Sequence, residues 1–149
     1  MKLANELILH ELFVSEDVET VAAFSARSSA DQTLLSGEVL QFDVTMANLG
    51  GYYQADNGCF ICPYHGTYAF SVSILTTPGD FAGGALYIDG LLYTIAWAHV
   101  AAGTYSHASN MFVASCAAGG QVYVQPEGDS SVRGDQYSAF AGFLLQRYD

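Results

Sequence analysis

The chain predicts an all-β fold, a sandwich or barrel, and three observations carry that expectation. In Gly66-x-Tyr68-x-Phe70, continued by Val72 and Ile74, alternate positions are large and apolar, which is the period of a strand with one face in a core. From Val21 onward, short strand-like runs alternate with turn clusters. Helical spacing is confined to the residues before that point.

Taken in order, Leu3, Leu7, Ile8, Leu12, Val14, Val18 and Val21 stand three and four apart with acids between them. That pattern suits an amphipathic lead-in over residues 1–21, helical or disordered, or a short coiled-coil stalk. Strands are then expected at 23–27, 39–44, 58–62, 67–75, 84–88, 91–97, 105–116, 121–125 and 138–147. The breaks carry turn chemistry: Leu49-Gly50-Gly51, Asp56-Asn57-Gly58, Thr77-Pro78-Gly79-Asp80, Ala118-Gly119-Gly120 and Pro126-Glu127-Gly128-Asp129. Asp89-Gly90, between two apolar runs, suits a tight hairpin because both residues tolerate the positive φ of a primed turn. Two strands are apolar on both faces. Phe112, Ala114 and Cys116 oppose Met111 and Val113, and Phe140, Gly142 and Leu144 oppose Ala141, Phe143 and Leu145. A strand of that kind must be covered twice, and in a one-domain chain a second copy of the chain is the natural cover.

At 149 residues the chain suits one domain, expected over residues 22–149. Hydrophobic residues make up 51% and charged residues 13%, about half the usual charged share, which again points to surface hidden in an oligomer. Four Lys+Arg against 15 Asp+Glu give a formal net charge of −11, so nucleic acid and anionic membrane are poor partners. No apolar run is long enough to cross a bilayer, and Glu6, His10 and Glu11 interrupt what would be the apolar core of a secretion signal. The protein therefore stays inside the cell, or its signal lies outside this chain. Of the three cysteines, Cys62 and Cys116 read as small buried hydrophobes. Cys59, an odd step from Cys62, reads as outward-facing and free, or bridged to another chain.

Phe42, Asn48, Tyr53, Phe60, Gly66, Tyr68 and Phe70 stand at the spacings of the C1q-domain signature, with Val72 where that family usually has another aromatic. Ala23-Phe24-Ser25-Ala26, Cys62-Pro63, residues 120–124 and residues 140–145 also resemble the family's strands in order. The chain thus resembles the C1q-domain (C1q/TNF-like) family over about residues 23–147, as a globular head like those of invertebrate C1q-like lectins. The resemblance implies a jelly-roll sandwich, a homotrimer and an extracellular location. His107, Met111, Val113, Phe143 and Leu145 would then face the other protomers.

No catalytic constellation stands out. His10, His65, His99 and His107 lack a nucleophile motif, and Gly-x-Ser-x-Gly and a Walker loop are absent, so an enzyme is not expected. Members of the family hold calcium near the apex through aspartates. The corresponding positions resemble Ala98 and Ser106, which offer no carboxylate, so no cofactor is expected. His99 and His107 would bind zinc only if a threefold axis gathered three copies; otherwise they are polar interface or surface residues.

On the implied topology, loops 98–104 and 126–136 share the apex. The ligand-binding candidates are Trp97, His99 and Tyr105 from the first, with Asp129, Arg133, Asp135 and Tyr137 from the second. Aromatic faces suit sugar C–H surfaces, fixed polar groups suit hydroxyls, and the Arg133 fork suits a sialic acid carboxylate. Tyr52, Tyr64 and His65 form a lesser aromatic-polar group, and Arg133-Gly134-Asp135 spells an adhesion tripeptide that is also ordinary loop composition. The function implied is glycan or glycoprotein recognition in innate defence. The alternative is a trimeric protein-binding module, either a receptor ligand or a matrix component.

Overall fold

The computed structural model describes residues 20–149 apart from Val100 and Ala102. The lead-in expected over residues 1–21 falls almost wholly outside the described residues. Within them the chain forms strands and no helix. In order these are β1 (Ala23–Arg27), β2 (Gln32–Leu34), β3 (Val44–Leu49), β4 (Tyr53–Gln54), β5 (Cys59–Ile61) and β6 (Gly66–Leu75). They continue as β7 (Phe81–Ile88), β8 (Leu91–His99), β9 (His107–Cys116), β10 (Gln121–Pro126), β11 (Ser130–Val132) and β12 (Ala139–Arg147).

Two five-stranded sheets form, in the orders β3-β1-β12-β6-β9 and β4-β5-β10-β7-β8, with a β11-β2 ribbon beside them. Neither order follows the chain, because connections repeatedly cross from one sheet to the other, as in a jelly roll. The core between the sheets is aromatic. Phe24 stacks on Tyr53 and on Phe60, each at 4.7 Å, and meets Phe140 edge-on at 4.8 Å. Phe42, Phe60, Tyr68, Phe70 and Phe140 are fully buried.

Local chemistry explains several of the spaced residues. The Asn48 side chain acts as a peptide group: its amide donates to the Tyr53 carbonyl at 2.9 Å, and its oxygen accepts from the Tyr53 N–H at 3.0 Å. It thereby closes the loop through Gly50 and Gly51, both at positive φ. The Tyr53 hydroxyl donates to the buried Phe42 carbonyl at 2.7 Å, and burial, with the Asp43 carboxylate nearby, pushes its phenol well above the ordinary value. Gly142 lies flush under the rings of Phe70 and Phe24, where a Cβ would come within 2.5 and 2.8 Å of them.

The expected strands appear with three corrections. Residues 39–43 form no ladder: Leu40 and Phe42 are buried, but the Leu40 N–H reaches the Val124 carbonyl and the Asp43 carboxylate is held by Ser29. Burial alternates there without strand pairing, and the paired strand begins only at Val44. Strand β8, expected over 91–97, runs on to His99, so Ala98 and His99 join Trp97 in the sheet and leave the expected 98–104 loop. Cys59, expected outward, is only 9% exposed. It lines a groove on the outer side of its sheet together with Val39 and Tyr123, and burial pushes its thiol up. Cys62 and Cys116 are buried as expected; the Cys116 thiol reaches the Ala117 carbonyl at 3.5 Å, and the neighbouring Cys116 side chain, with burial, pushes the Cys62 thiol up. Asp89 and Gly90 both take positive φ, as the tight hairpin between β7 and β8 requires.

Candidate ligand-binding site

Arg133 follows β11 and is fixed by its backbone. Its N–H donates to the Leu75 carbonyl at 2.8 Å, and its carbonyl accepts from the buried Ser138 hydroxyl at 2.7 Å. The next amide, of Gly134, donates to Asp31 at 2.8 Å, and Gly134 packs so closely on Ala30 that no side chain fits. Tyr105 stands just before β9, in a segment held where Ser106 and Thr76 exchange hydrogen bonds. The Arg133 guanidinium therefore lies between two rings, 5.4 Å from the centroid of Tyr105 and 5.5 Å from that of Tyr137. Each such contact is worth roughly 0.5–1 kcal/mol at an exposed site. The Asp31 carboxylate is also 3.9 Å from the guanidinium. Leu75, Tyr105, Arg133 and Tyr137 line a cavity of about 340 Å³. A guanidinium within cation–π reach of two phenols, beside Leu75, offers a fork for a carboxylate and ring faces for a sugar.

The structure divides the residues expected at this site. Tyr105, Arg133 and Tyr137 come together, and Leu75 joins them, a residue whose strand position hid its role. Trp97 and His99 instead stack on each other at 5.9 Å on the outer face of β8, with Phe81 at 6.5 Å from Trp97. Trp97 is opposite Gly83, whose missing Cβ leaves room for the indole. Asp135, at positive φ, turns away to Arg27 at 3.8 Å, and Asp129 accepts from the Ser36 N–H. With Gly134 packed on Ala30 and Arg133 held between rings, the Arg-Gly-Asp tripeptide is not a free loop. Tyr52 and Tyr64 do meet edge-on at 6.4 Å, with Arg147 over the Tyr64 ring and His65 against Tyr148. Among the described residues, no three His, Cys, Asp or Glu side chains converge in one chain as a metal site would need.

A second feature is the outer face of the first sheet. Register aligns Leu49, Ala23, Phe143, Ala69 and Val113 in one row across all five strands. The next row on that face is Ala47, Ser25, Ala141, Ser71 and Met111. Phe143 is 47% exposed, Val113 49%, Leu145 53% and Met111 65%, and no charged residue interrupts the two rows. His107 lies farther along β9, exposed and opposite Leu75. An apolar patch of this extent on a single chain marks an interaction surface.

The C1q-domain family model matches residues 23–145. Among solved structures, the globular domain of zebrafish complement 1qA protein is similar at 18% identity and a TM-score of 0.72, covering 85% of this chain and 98% of that one. Eiger TNF from S. frugiperda is similar at 12% identity and a TM-score of 0.69, covering 87% and 94%. Murine APRIL at pH 5.0 shares 11% identity at a TM-score of 0.65, covering 84% and 98%. At these identities the neighbours establish the jelly-roll fold alone. The family match spans most of the chain and coincides with the spaced aromatics, Asn48 and Gly66, and on that ground the chain belongs to the C1q-domain family.

Proposed function

We propose that this chain is an extracellular, non-enzymatic recognition protein of innate defence. Its globular domain, residues 22–149, assembles as a homotrimer and binds sialylated or microbial glycans. The observation that carries the glycan reading is Arg133, held between Tyr105 and Tyr137 at a cavity of about 340 Å³. A carboxylate on a sugar takes the guanidinium fork in place of Asp31, and the tyrosine faces receive the ring. What supports the trimer is the uncharged apolar face bearing Met111, Val113, Phe143 and Leu145. Three weak sites on one assembly gain by avidity when the target spaces its sugars to match. A glycan array with wild type, Arg133→Ala and Arg133→Lys tests the reading. Binding of sialylated glycans is expected for wild type, is lost with alanine, and is weakened with lysine, which keeps the charge without the fork. Equal binding by all three removes Arg133 from the site.

A protein-binding module is the second reading. The exposed Trp97, Ile95 and Leu92 on β8 favour it, since aromatic anchors dominate protein interfaces. Capture of one defined protein by wild type and not by Trp97→Ala, unchanged after removal of the partner's glycans, supports it.

A further inference from the structure

A groove of about 370 Å³ crosses the outer face of the second sheet, on β4, β5 and β10 and away from the Arg133 cavity. Its lining is unlike the rest of this acidic surface. Four carboxamides, Gln54, Asn57, Gln121 and Gln125, converge there with Tyr123 and Ile61, and no charged side chain takes part. Strand geometry explains the convergence. Gln121, Tyr123 and Gln125 alternate along β10 and so share one face, Ile61 pairs opposite Gln121, and Gln54 comes from the next strand but one.

The amides are partly oriented in advance. The Asn57 side chain donates to Gln54 Oε1 at 2.9 Å and accepts from the Cys59 N–H at 3.0 Å, which leaves the Gln54 NH₂ as a donor to the groove. The Gln125 NH₂ donates to the Gly37 carbonyl at 3.4 Å, which leaves its oxygen as an acceptor. The Gln121 backbone N–H donates to the Asp89 carboxylate at 2.9 Å, and among the described residues its side-chain carboxamide makes no hydrogen bond within the chain. Tyr123 supplies a firm ring, since Tyr87 on β7 runs parallel to it at 5.8 Å and 7°.

A ligand for this set must both donate and accept many times, offer a C–H face to a phenol, and carry no charge. An anion would meet no counter-charge on a chain of formal net charge −11. An added peptide strand would find little free backbone on the floor: β7 pairs β10 along its length, β5 pairs it at Gln121 and Val122, and beyond them the Leu40 N–H takes the carbonyl of the fully buried Val124. Hydroxyls meet every requirement, each being donor and acceptor at once.

We propose that this groove binds a neutral, polyhydroxylated ligand, a hexose unit of an uncharged glycan. The site does not rest on the Arg133 reading, because it uses other residues, another sheet and another ligand charge. Backbone-amide NMR titration of the full chain tests it with three neutral probes, maltohexaose, laminarihexaose and mannohexaose, beside 3′-sialyllactose and a Gly-Ser hexapeptide. At least one neutral hexaose should shift amides around Gln54, Asn57, Gln121, Tyr123 and Gln125 with millimolar affinity. Gln121→Ala, an exposed substitution, should weaken that binding about tenfold. Tyr123→Phe, which keeps the ring, should retain most of it. The inference is overturned if no neutral hexaose shifts the groove, if only the peptide or sialyllactose does, or if Gln121→Ala leaves affinity unchanged. Failure of the Arg133 reading would show separately, as absence of sialyllactose shifts around Tyr105 and Tyr137.

Discussion

Replacing Asn48 by alanine removes two hydrogen bonds to the backbone of the buried Tyr53 and leaves its N–H and carbonyl unmet. A loss of about 2–3 kcal/mol is expected, read from urea unfolding, and serine should recover only part of it. Asp43 gives a test in pH. Its carboxyl accepts from the Ser29 hydroxyl at 2.5 Å and the Ser29 N–H at 2.8 Å, and these bonds hold it below the ordinary value of 3.8. A lowered folded-state pKa means that the unfolded chain takes up the proton first. The contribution is therefore complete above the ordinary value and is lost as pH falls through the lowered one. Asp43→Asn should flatten that part of the acid limb in a pH series of melting temperatures. The effect stays small because the group is largely in water. Arg133, Tyr105 and Tyr137 were legible as a group because an arginine among aromatics in loops that meet is an unusual composition for this acidic chain. Leu75 was not, since its alternation reads only as strand.

The long strands could be read because hydrophobic alternation survives over many residues, as in β6 from Gly66 to Leu75. The short pieces β2, β4 and β11 could not, since two or three residues carry no period. Residues 39–43 show the converse: alternation records burial, and pairing needs a neighbour with free backbone groups. The extension of β8 takes His99 out of the expected loop and stacks it on Trp97, for whose indole Gly83 leaves a seat on the neighbouring strand. The amide groove escaped notice for a similar reason, since glutamines have no motif and only register across β4, β5 and β10 brings them together. Buried strands also protect the thiols. In native protein, none of the three cysteines should react with a thiol reagent at the rate seen after unfolding, and Cys59, beside the groove, should be the first to do so. Rapid native labelling of Cys62 or Cys116 would contradict their packing.

Association of whole molecules should be apolar in character. Val113→Asp and Phe143→Asp change side chains that a lone protomer leaves in water, so the fold should survive while the proposed trimer dissociates. Sedimentation velocity with circular dichroism on the same samples separates the two outcomes; a trimer that persists in both variants would remove this face from the contact. Each protomer carries a formal charge of −11, and the face rows hold no ion pair. Added salt should therefore screen repulsion between protomers and hold the assembly together, where an ion-paired contact would loosen. An increase in dissociation between about 0.05 and 0.5 M salt would contradict this.

Because β1 pairs with β12, Ala23 stands opposite Phe143, and the first strand of the jelly roll begins beside the last. Ala22 lies opposite Leu144, whose N–H donates to the Ala22 carbonyl, so the remaining span to Tyr148 is about four residues of extended backbone, or ~13 Å. With a short glycine-serine bridge in place of residues 1–21, residues 22–148 would close into a ring there. The ring could be cut again at Asp89-Gly90, a hairpin tip at the far end of its strand pair, giving a permuted chain with the same neighbours throughout.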